Sequence, residues 1–330
     1  MADDLLPFEK EQEEIVFVKE KEDYQTNPTY GKKPEDRTTE ELLDSSIVVI
    51  DKPPGPTSHQ VSAYAKGILK VKKMGHSGTL DPGVTGVLPM GVNRATRALS
   101  ALLPAGKEYV CVMHIHRPVE EYEVRKVFKD FIGKIKQLPP VKSAVKRRVR
   151  EREVYYLDFL EMKGQDVLFK AGVQGGTYIR KLVHDIGLHL DTGAHMAELR
   201  RTKAGPFNES TNLVTLHDLA DAYHYYKEGD DSELRKMLLP VETAVFHLAK
   251  IWVVDEIVKK LTQGVRLLPQ NIVKYTSNLK KGQKVAVMTM KNELILIGEF
   301  TSTIDKMFSS RTSVVKTQQV LMKDDVYPKI

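Results

Sequence analysis

The chain has 330 residues, 41% of them hydrophobic, one cysteine and a net charge of +6. That length suits two domains with ordinary cores. It leaves out a disulfide framework or a paired-cysteine metal site, a membrane span of ~18 apolar residues and a basic, apolar signal sequence. The charge is unevenly placed: residues 1–45 carry 14 acids and 6 bases, net −8, so the remainder carries +14, a balance that suits a polyanionic partner.

Residues 1–45 mix acids with Pro7, Pro28 and Pro34 and show no clear period. They read as an unstructured extension, although Leu5, Leu6, Phe8, Ile15, Phe17 and Val18 offer anchors on a neighbouring domain. Ile47–Ile50 reads as a short strand ended by the rigid turn Asp51-Lys52-Pro53-Pro54-Gly55-Pro56. Residues 60–71 fit a helix, and residues 75–91 a loop with glycine at 75, 78, 83, 86 and 91. Asn93 is placed to cap a helix running to about Leu103. Glu108–His116 reads as a strand in which Cys111 is core, and Glu120–Phe131 as a helix with Val124, Val127, Phe128 and Phe131 on one face. Residues 154–174 read as two strands turning at Lys163–Asp166. Thr177 is expected to cap a helix with Ile179, Val183, Ile186 and Leu190 inward. Further helices fit Thr215–Lys227 and Ser232–Leu239. Strands that are often adjacent argue for an α+β domain over 46–249 rather than a doubly wound sheet.

From Lys250 the texture changes. A strand at 251–254, a helix at 255–263, β runs at Lys284–Met290 and Glu293–Phe300, and a last run near Val314–Met322 read as a small, mostly β domain. Residues 250–330 carry 14 bases and 7 acids, net +7, opposite in sign to the extension. The two are expected to pack together. Removing 250–330 is expected to weaken binding of the polyanionic partner more than folding of the rest.

Chemistry concentrates in three places. In Gly75-His76-Ser77-Gly78-Thr79-Leu80-Asp81-Pro82, glycines let backbone approach a ligand, and Asp81 is the lone carboxylate between Asp51 and Glu108. Asp81 reads either as a nucleophile or as a turn-forming Asp-Pro, and His76 as a functional or a simply hydrogen-bonded loop histidine. In Gly175-Gly176-Thr177-Tyr178-Ile179-Arg180, an arginine in the first helical turn works against the helix dipole. It is either held by an acid or phosphate or lies on the surface. The run 134–152 carries eight bases and one acid, and Lys146, Arg147, Arg148 and Arg150 read as phosphate contacts. Arg200 and Arg201 make a smaller basic spot. No metal cluster is expected: His114 and His116 are read on alternate faces of a strand, and His184, His189 and His195 lack clear partners.

Taken together, these segments resemble the TruB/dyskerin family of pseudouridine synthases. The resemblance runs through Asp51–Ser58, Gly75–Pro82, Gly86-Val87-Leu88-Pro89, Lys107-Glu108-Tyr109, Gly176–Arg180 and Leu199–Thr202, in family order. The segment from Lys250 resembles a PUA domain, a small RNA-binding β-barrel. The resemblance implies isomerisation of uridine to pseudouridine in RNA, without a cofactor. It implies that Asp81 is the catalytic aspartate, that Arg180 pairs with it and that Tyr109 stacks on the target base. Tyr178 would help close the pocket, Leu199 would pack against the uracil, His76 would lie near the gap left by the flipped base, and Lys52 would support the active-site loop.

Two insertions by which bacterial stand-alone relatives grip tRNA are short or missing here, after His116 and at Ser143–Val154. That points to the dyskerin branch, the catalytic subunit of H/ACA guide-RNA particles. Its partners would be a guide RNA, rRNA or tRNA as substrate, two small accessory proteins and a kink-turn-binding protein, with no membrane. Nucleolar eukaryotic members carry Lys-rich tails, whereas this sequence stops at Ile330, so an archaeal, cytoplasmic member is expected. The rivals are a stand-alone tRNA enzyme and a non-catalytic RNA-binding scaffold.

Overall fold

The computed structural model describes residues 5–11, 13–20, 24–138, 148–309 and 312–329, and among them two mixed sheets of eleven and six strands organise the chain. In chain order the elements are α1 (Pro7–Lys10), β1 (Ile15–Phe17), α2 (Thr39–Asp44), β2 (Ser45–Lys52), α3 (Ser58–Leu69), β3 (Met74–His76), β4 (Thr85–Asn93), α4 (Leu99–Leu102), β5 (Lys107–Ile115), α5 (Glu121–Asp130), β6 (Gly133–Gln137), β7 (Arg150–Lys163), β8 (Asp166–Val173), α6 (Ile179–His189), β9 (Ala194–Ala204), β10 (Phe207–Asn208), β11 (Leu213–Val214), α7 (Leu216–Glu228), α8 (Ser232–Met237) and β12 (Leu239–Pro240). The C-terminal part adds β13 (Ala249–Val253), α9 (Asp255–Thr262), β14 (Ile272–Thr276), β15 (Lys284–Thr289), β16 (Leu294–Phe300), α10 (Ile304–Met307) and β17 (Val315–Val320).

The larger sheet runs β11-β2-β4-β9-β5-β8-β7-β6. Second from one edge lies β2, an apolar run buried on both faces that pairs antiparallel with β4 from Ser45↔Asn93 to Lys52↔Gly86. Helices α3 and α7 cover Ile50 and Leu88 with Val61, Ala65 and Leu219. Helices α5 and α6 cover Cys111 and Phe169 with Val124, Phe128, Val183 and Ile186. This is the expected α+β domain. The smaller sheet runs β1-β14-β13-β15-β16-β17.

Local chemistry overrides several expectations. Only residues 77–84 of the glycine-rich segment are loop, because β3 and β4 claim its flanks. Asn93 does not cap a helix: its side chain accepts from the Lys73 N–H (2.9 Å) and donates to the Leu43 carbonyl (2.8 Å). A 3-10 turn over Arg94–Arg97 and the short α4 replace the single helix. Tyr178, not Thr177, is the N-cap of α6, with no side-chain cap bond. The strands β6, β9 and β14 were not anticipated.

The extension is ordered where described. β1 adds to the edge of the smaller sheet, Ile15 facing Thr276 and Phe17 facing Lys274. Glu11 pairs with Lys280 (3.2 Å), and Arg37 with Glu242 (2.8 Å). One core cluster contains Ile47, Val49, Val87 and Val245 from the larger sheet's side, together with Trp252, Met288, Ile297 and Leu321 from the smaller. Removing 250–330 would strip the cover from that cluster and so cost folding stability too: exposed apolar area costs about 25 cal/mol per Å².

Candidate active site

Loop 77–84 joins β3 to β4 and is braced from beneath. Ser58, fully buried at the start of α3, accepts from the Leu80 N–H (2.9 Å) and donates to its carbonyl (3.0 Å). The Lys52 ammonium at the end of β2 donates to the carbonyls of Pro53, Pro82 and Val84 at 2.9–3.0 Å. Burial pushes Lys52 below the ordinary lysine value, while the Asp81 charge opposes that shift. The Gly55 N–H donates to Pro82 (2.9 Å), and Gly78 turns with φ +82°. With Leu80 and Val84 sunk in the core and the backbone fixed at these points, Asp81 is raised into the open, its side chain 54% exposed. The Arg180 guanidinium, carried by the first turn of α6, pairs with the Asp81 carboxylate. The alternative of a simple turn-forming Asp-Pro does not explain that pair.

Tyr109 on β5 and Leu199 on β9 belong to the apolar cluster that holds Leu80 and Val84 beneath the loop. Tyr109 is opposite Arg201 in the β5–β9 register. Tyr178 is fixed through its backbone, which exchanges two hydrogen bonds with the Gln137 amide. His76 on β3 meets His59 through its Nε2 (3.0 Å). Its pKa falls to about 4, mainly through burial and further through His59 and Arg201. It is therefore a neutral ring at neutral pH.

The structure corrects two basic candidates. Arg201 is 1% exposed and donates to the carbonyls of Val87 (2.7 Å) and Gly78 (3.3 Å), so it braces the loop and cannot reach a phosphate. Arg200 holds Asp51 with two bonds of 3.0 and 3.1 Å and Glu209 at 2.6 Å, which occupy its guanidinium and raise its pKa. Lys52 is fully buried under the loop. Of the basic run, Lys146 and Arg147 lie outside the described residues, Arg148 is exposed and Arg150 opens β7.

Two neighbours of Tyr109 carry roles the sequence reading missed. Lys107 is buried and donates to the carbonyls of Leu102, Leu103 and Ala105, closing the end of α4; burial, then Arg201, push it down to about 7. Glu108 accepts from the Thr202 hydroxyl (2.7 Å) and from Tyr156. The signal available was two charged residues at the head of an apolar strand, where each needs a buried partner.

Residues 66–179 match the N-terminal domain of TruB family pseudouridylate synthases, and residues 180–246 match the C-terminal domain of tRNA pseudouridylate synthase B. Residues 5–62 match the DKCLD domain and residues 249–321 the PUA domain. The probable tRNA pseudouridine synthase B of Pyrococcus abyssi is 50% identical over 328 residues, covering 99% of this chain and 97% of that one. The chain belongs to the TruB family of pseudouridylate synthases. The TruB-family relative from Methanopyrus kandleri, also called a probable tRNA pseudouridine synthase B, is 47% identical over 98% of this chain and 95% of its own. A chain solved in a Cbf5–Nop10–Gar1 complex superposes with a TM-score of 0.94 at 47% identity, covering 99% of both chains. A chain from an H/ACA RNP bound to a substrate RNA containing 2′-deoxyuridine gives 0.91 at 46% identity, covering 98% of this chain and 99% of that one. As a TruB-family enzyme with a PUA domain, the protein is an RNA pseudouridine synthase. Among its described residues, no helix is long and apolar enough to cross a membrane.

Proposed function

We propose that this chain is the catalytic subunit of an archaeal-type, cytoplasmic H/ACA particle, in which a guide RNA presents a uridine of rRNA to Asp81. The observation that carries the reading is the Asp81–Arg180 pair: a half-exposed carboxylate on a loop braced by Lys52, Ser58 and Arg201. A scaffold that only bound RNA would have no need for it. The likeness over nearly the whole of both chains to a protein solved with Nop10 and Gar1, and to one solved with substrate RNA, supports those two accessory proteins and a guide RNA as partners. A kink-turn-binding protein completes the proposed assembly.

The reaction breaks the C1′–N1 bond, turns the uracil and joins C5 to C1′. C5 loses a proton and N1 gains one, so no atom is lost overall. The nucleotide must leave its stack to reach a side chain. In this reading Tyr109 receives the base, Leu199 packs on it, Tyr178 closes the pocket and His76 fills the space the base vacates. Asp81 acts at the ribose, as carboxylates do in glycosyl chemistry, with Arg180 holding it in place. Arg148 and Arg150 contact phosphates. The domain division is an extension over 1–45, a catalytic domain over 46–249 and a PUA domain over 250–330.

The names of the curated relatives favour tRNA as a second substrate, and the uridine proposed in it is that of the TΨC loop. Single-turnover modification of an rRNA fragment with matched, mismatched and absent guide separates the readings. The guided enzyme modifies only with the matched guide. Equal rates in all three arms would establish a stand-alone enzyme.

A further inference from the structure

The entry to α6 is held from a neighbouring strand. Helices commonly begin with a side chain that accepts from the second or third helical N–H, but Tyr178, the N-cap, makes no side-chain cap bond. Gln137 fixes the cap residue instead. It ends β6, is 2% exposed and turns its amide onto the Tyr178 backbone. Its Oε1 accepts from the Tyr178 N–H (3.0 Å), and its Nε2 donates to the Tyr178 carbonyl (3.2 Å). That carbonyl also accepts the first helical bond, from the Leu182 N–H (3.0 Å). Both ends of one amide thus grip one residue, as a paired strand would.

The approach to Tyr178 has little stiffness of its own, because Gly175 and Gly176 precede it and Gly176 turns with φ +85°. Upstream, the Gln174 N–H is tied to the Glu153 carbonyl (2.8 Å), and Arg152 donates to the Gly176 carbonyl (3.2 Å). Downstream, Ile179 is buried, and Arg180 leaves the first turn to meet Asp81. The direction of that arginine follows from the backbone at Tyr178, extended at φ −98° and ψ 106°. We propose that Gln137 is a positioning residue for the isomerisation: through the Tyr178 backbone it aims Arg180 at Asp81 and sets the Tyr178 ring, on the reading of those three residues given above. It needs no contact with RNA, since its amide is buried and both halves are occupied. A misplacement of about 1 Å can cost about a hundredfold in rate, and a helix entry left to two glycines can move that far.

The test is single-turnover modification, with the full chain in excess, of whichever RNA it modifies fastest in the arms described above. Gln137→Ala should slow modification about ten- to a hundredfold while RNA affinity stays within about threefold. Arg180→Ala should slow it too, and the two losses should not multiply in the double variant, because one residue acts through the other. Gln137→Glu gives a readout that lost stability alone would not move. Its carboxylate accepts from the Tyr178 N–H but turns a second acceptor on the Tyr178 carbonyl, and only the protonated acid can donate there. Burial raises a carboxyl pKa, while Arg150, opposite Gln137 on β7, and Arg152 keep their charge. The rate relative to wild type should therefore rise at least about fivefold as the pH falls from about 9 to about 5.5. Gln165→Ala is the control. It removes a bond to the Ile115 carbonyl (2.6 Å) at the other end of β5 and should leave the rate unchanged. Ile115 lies between His114 and His116, which share one face of the strand, as residues two apart do, and do not alternate as read from sequence. Circular dichroism melts confirm that each variant is folded at the assay temperature. Full-speed modification by Gln137→Ala beside a slowed Arg180→Ala, losses that multiply, or a Gln137→Glu ratio flat across that pH range would each overturn the role of Gln137. An unimpaired Arg180→Ala would overturn the reading of the site itself, and this role with it.

Discussion

Asp81 reaches solvent because Leu80 and Val84, on either side of it, are buried, and because Lys52 and Arg201 hold the loop's carbonyls. Asp81→Asn keeps that frame and removes the charge. Turnover should fall by about a thousandfold or more while RNA affinity stays within about threefold, as single-turnover kinetics and filter binding would show. Lys52→Met should act differently. It takes the ammonium donor from the buried Val84 carbonyl and the partly buried Pro53 carbonyl, while Pro82 keeps the Gly55 N–H; a buried group left unsatisfied costs about 1–3 kcal/mol, so both the urea midpoint and the rate should fall. Histidines set the acid limit. His76 and His247 are both held at about 4, chiefly by burial. The unfolded chain, near 6.5, therefore takes up protons first. Stability should be full above pH 6.5 and fall as the pH drops from 6.5 toward 4, and His247→Gln should flatten the slope of melting temperature against pH. A slope that stays unchanged would remove His247 from the account.

Among the elements, β9 was the least legible and is the most consequential. Ala194–Ala204 reads as a charged stretch without alternation. Its burial comes from β4 and β5 on either side, which no local pattern reveals. Hence Arg201 resembled a surface base, although its acceptors are carbonyls more than 100 residues away. By contrast β2, β5, α5 and α7 showed in their apolar periods, and Asp81, Tyr109 and Arg180 through the motifs that flank them. The β4–β9 joint rests on Gly86. With φ +101°, a Cβ there would come within 2.2 Å of the Arg201 carbonyl oxygen. Gly86→Ala should cost about 2–4 kcal/mol in urea unfolding and lower activity as well, because the joint carries Arg201 to the loop. If stability and rate are both unchanged, β9 does not position the loop.

For the whole molecule, the shared core makes the catalytic sheet and the smaller sheet one packed body, with Trp252 at the seam and its indole N–H held by Asn292 (2.8 Å). The charge contrast between the two ends of the sequence was readable, but the strand pairing between them was not, since Ile15–Phe17 is too short to show a period. That strand covers the edge of β14. Without residues 5–18 the edge is a template for another chain, so the truncated protein should self-associate with rising concentration in light scattering while the full chain stays dispersed.

The same pairing sets an order in time. Ile15 leaves the ribosome early, and its partner Thr276 only after about 260 further residues. At roughly 5–20 residues per second that is a wait of about 13–50 seconds. Throughout that interval the strand near the acidic end of the nascent chain has no partner, and a strand made late in synthesis, β14, is the one that finally gives the first a place.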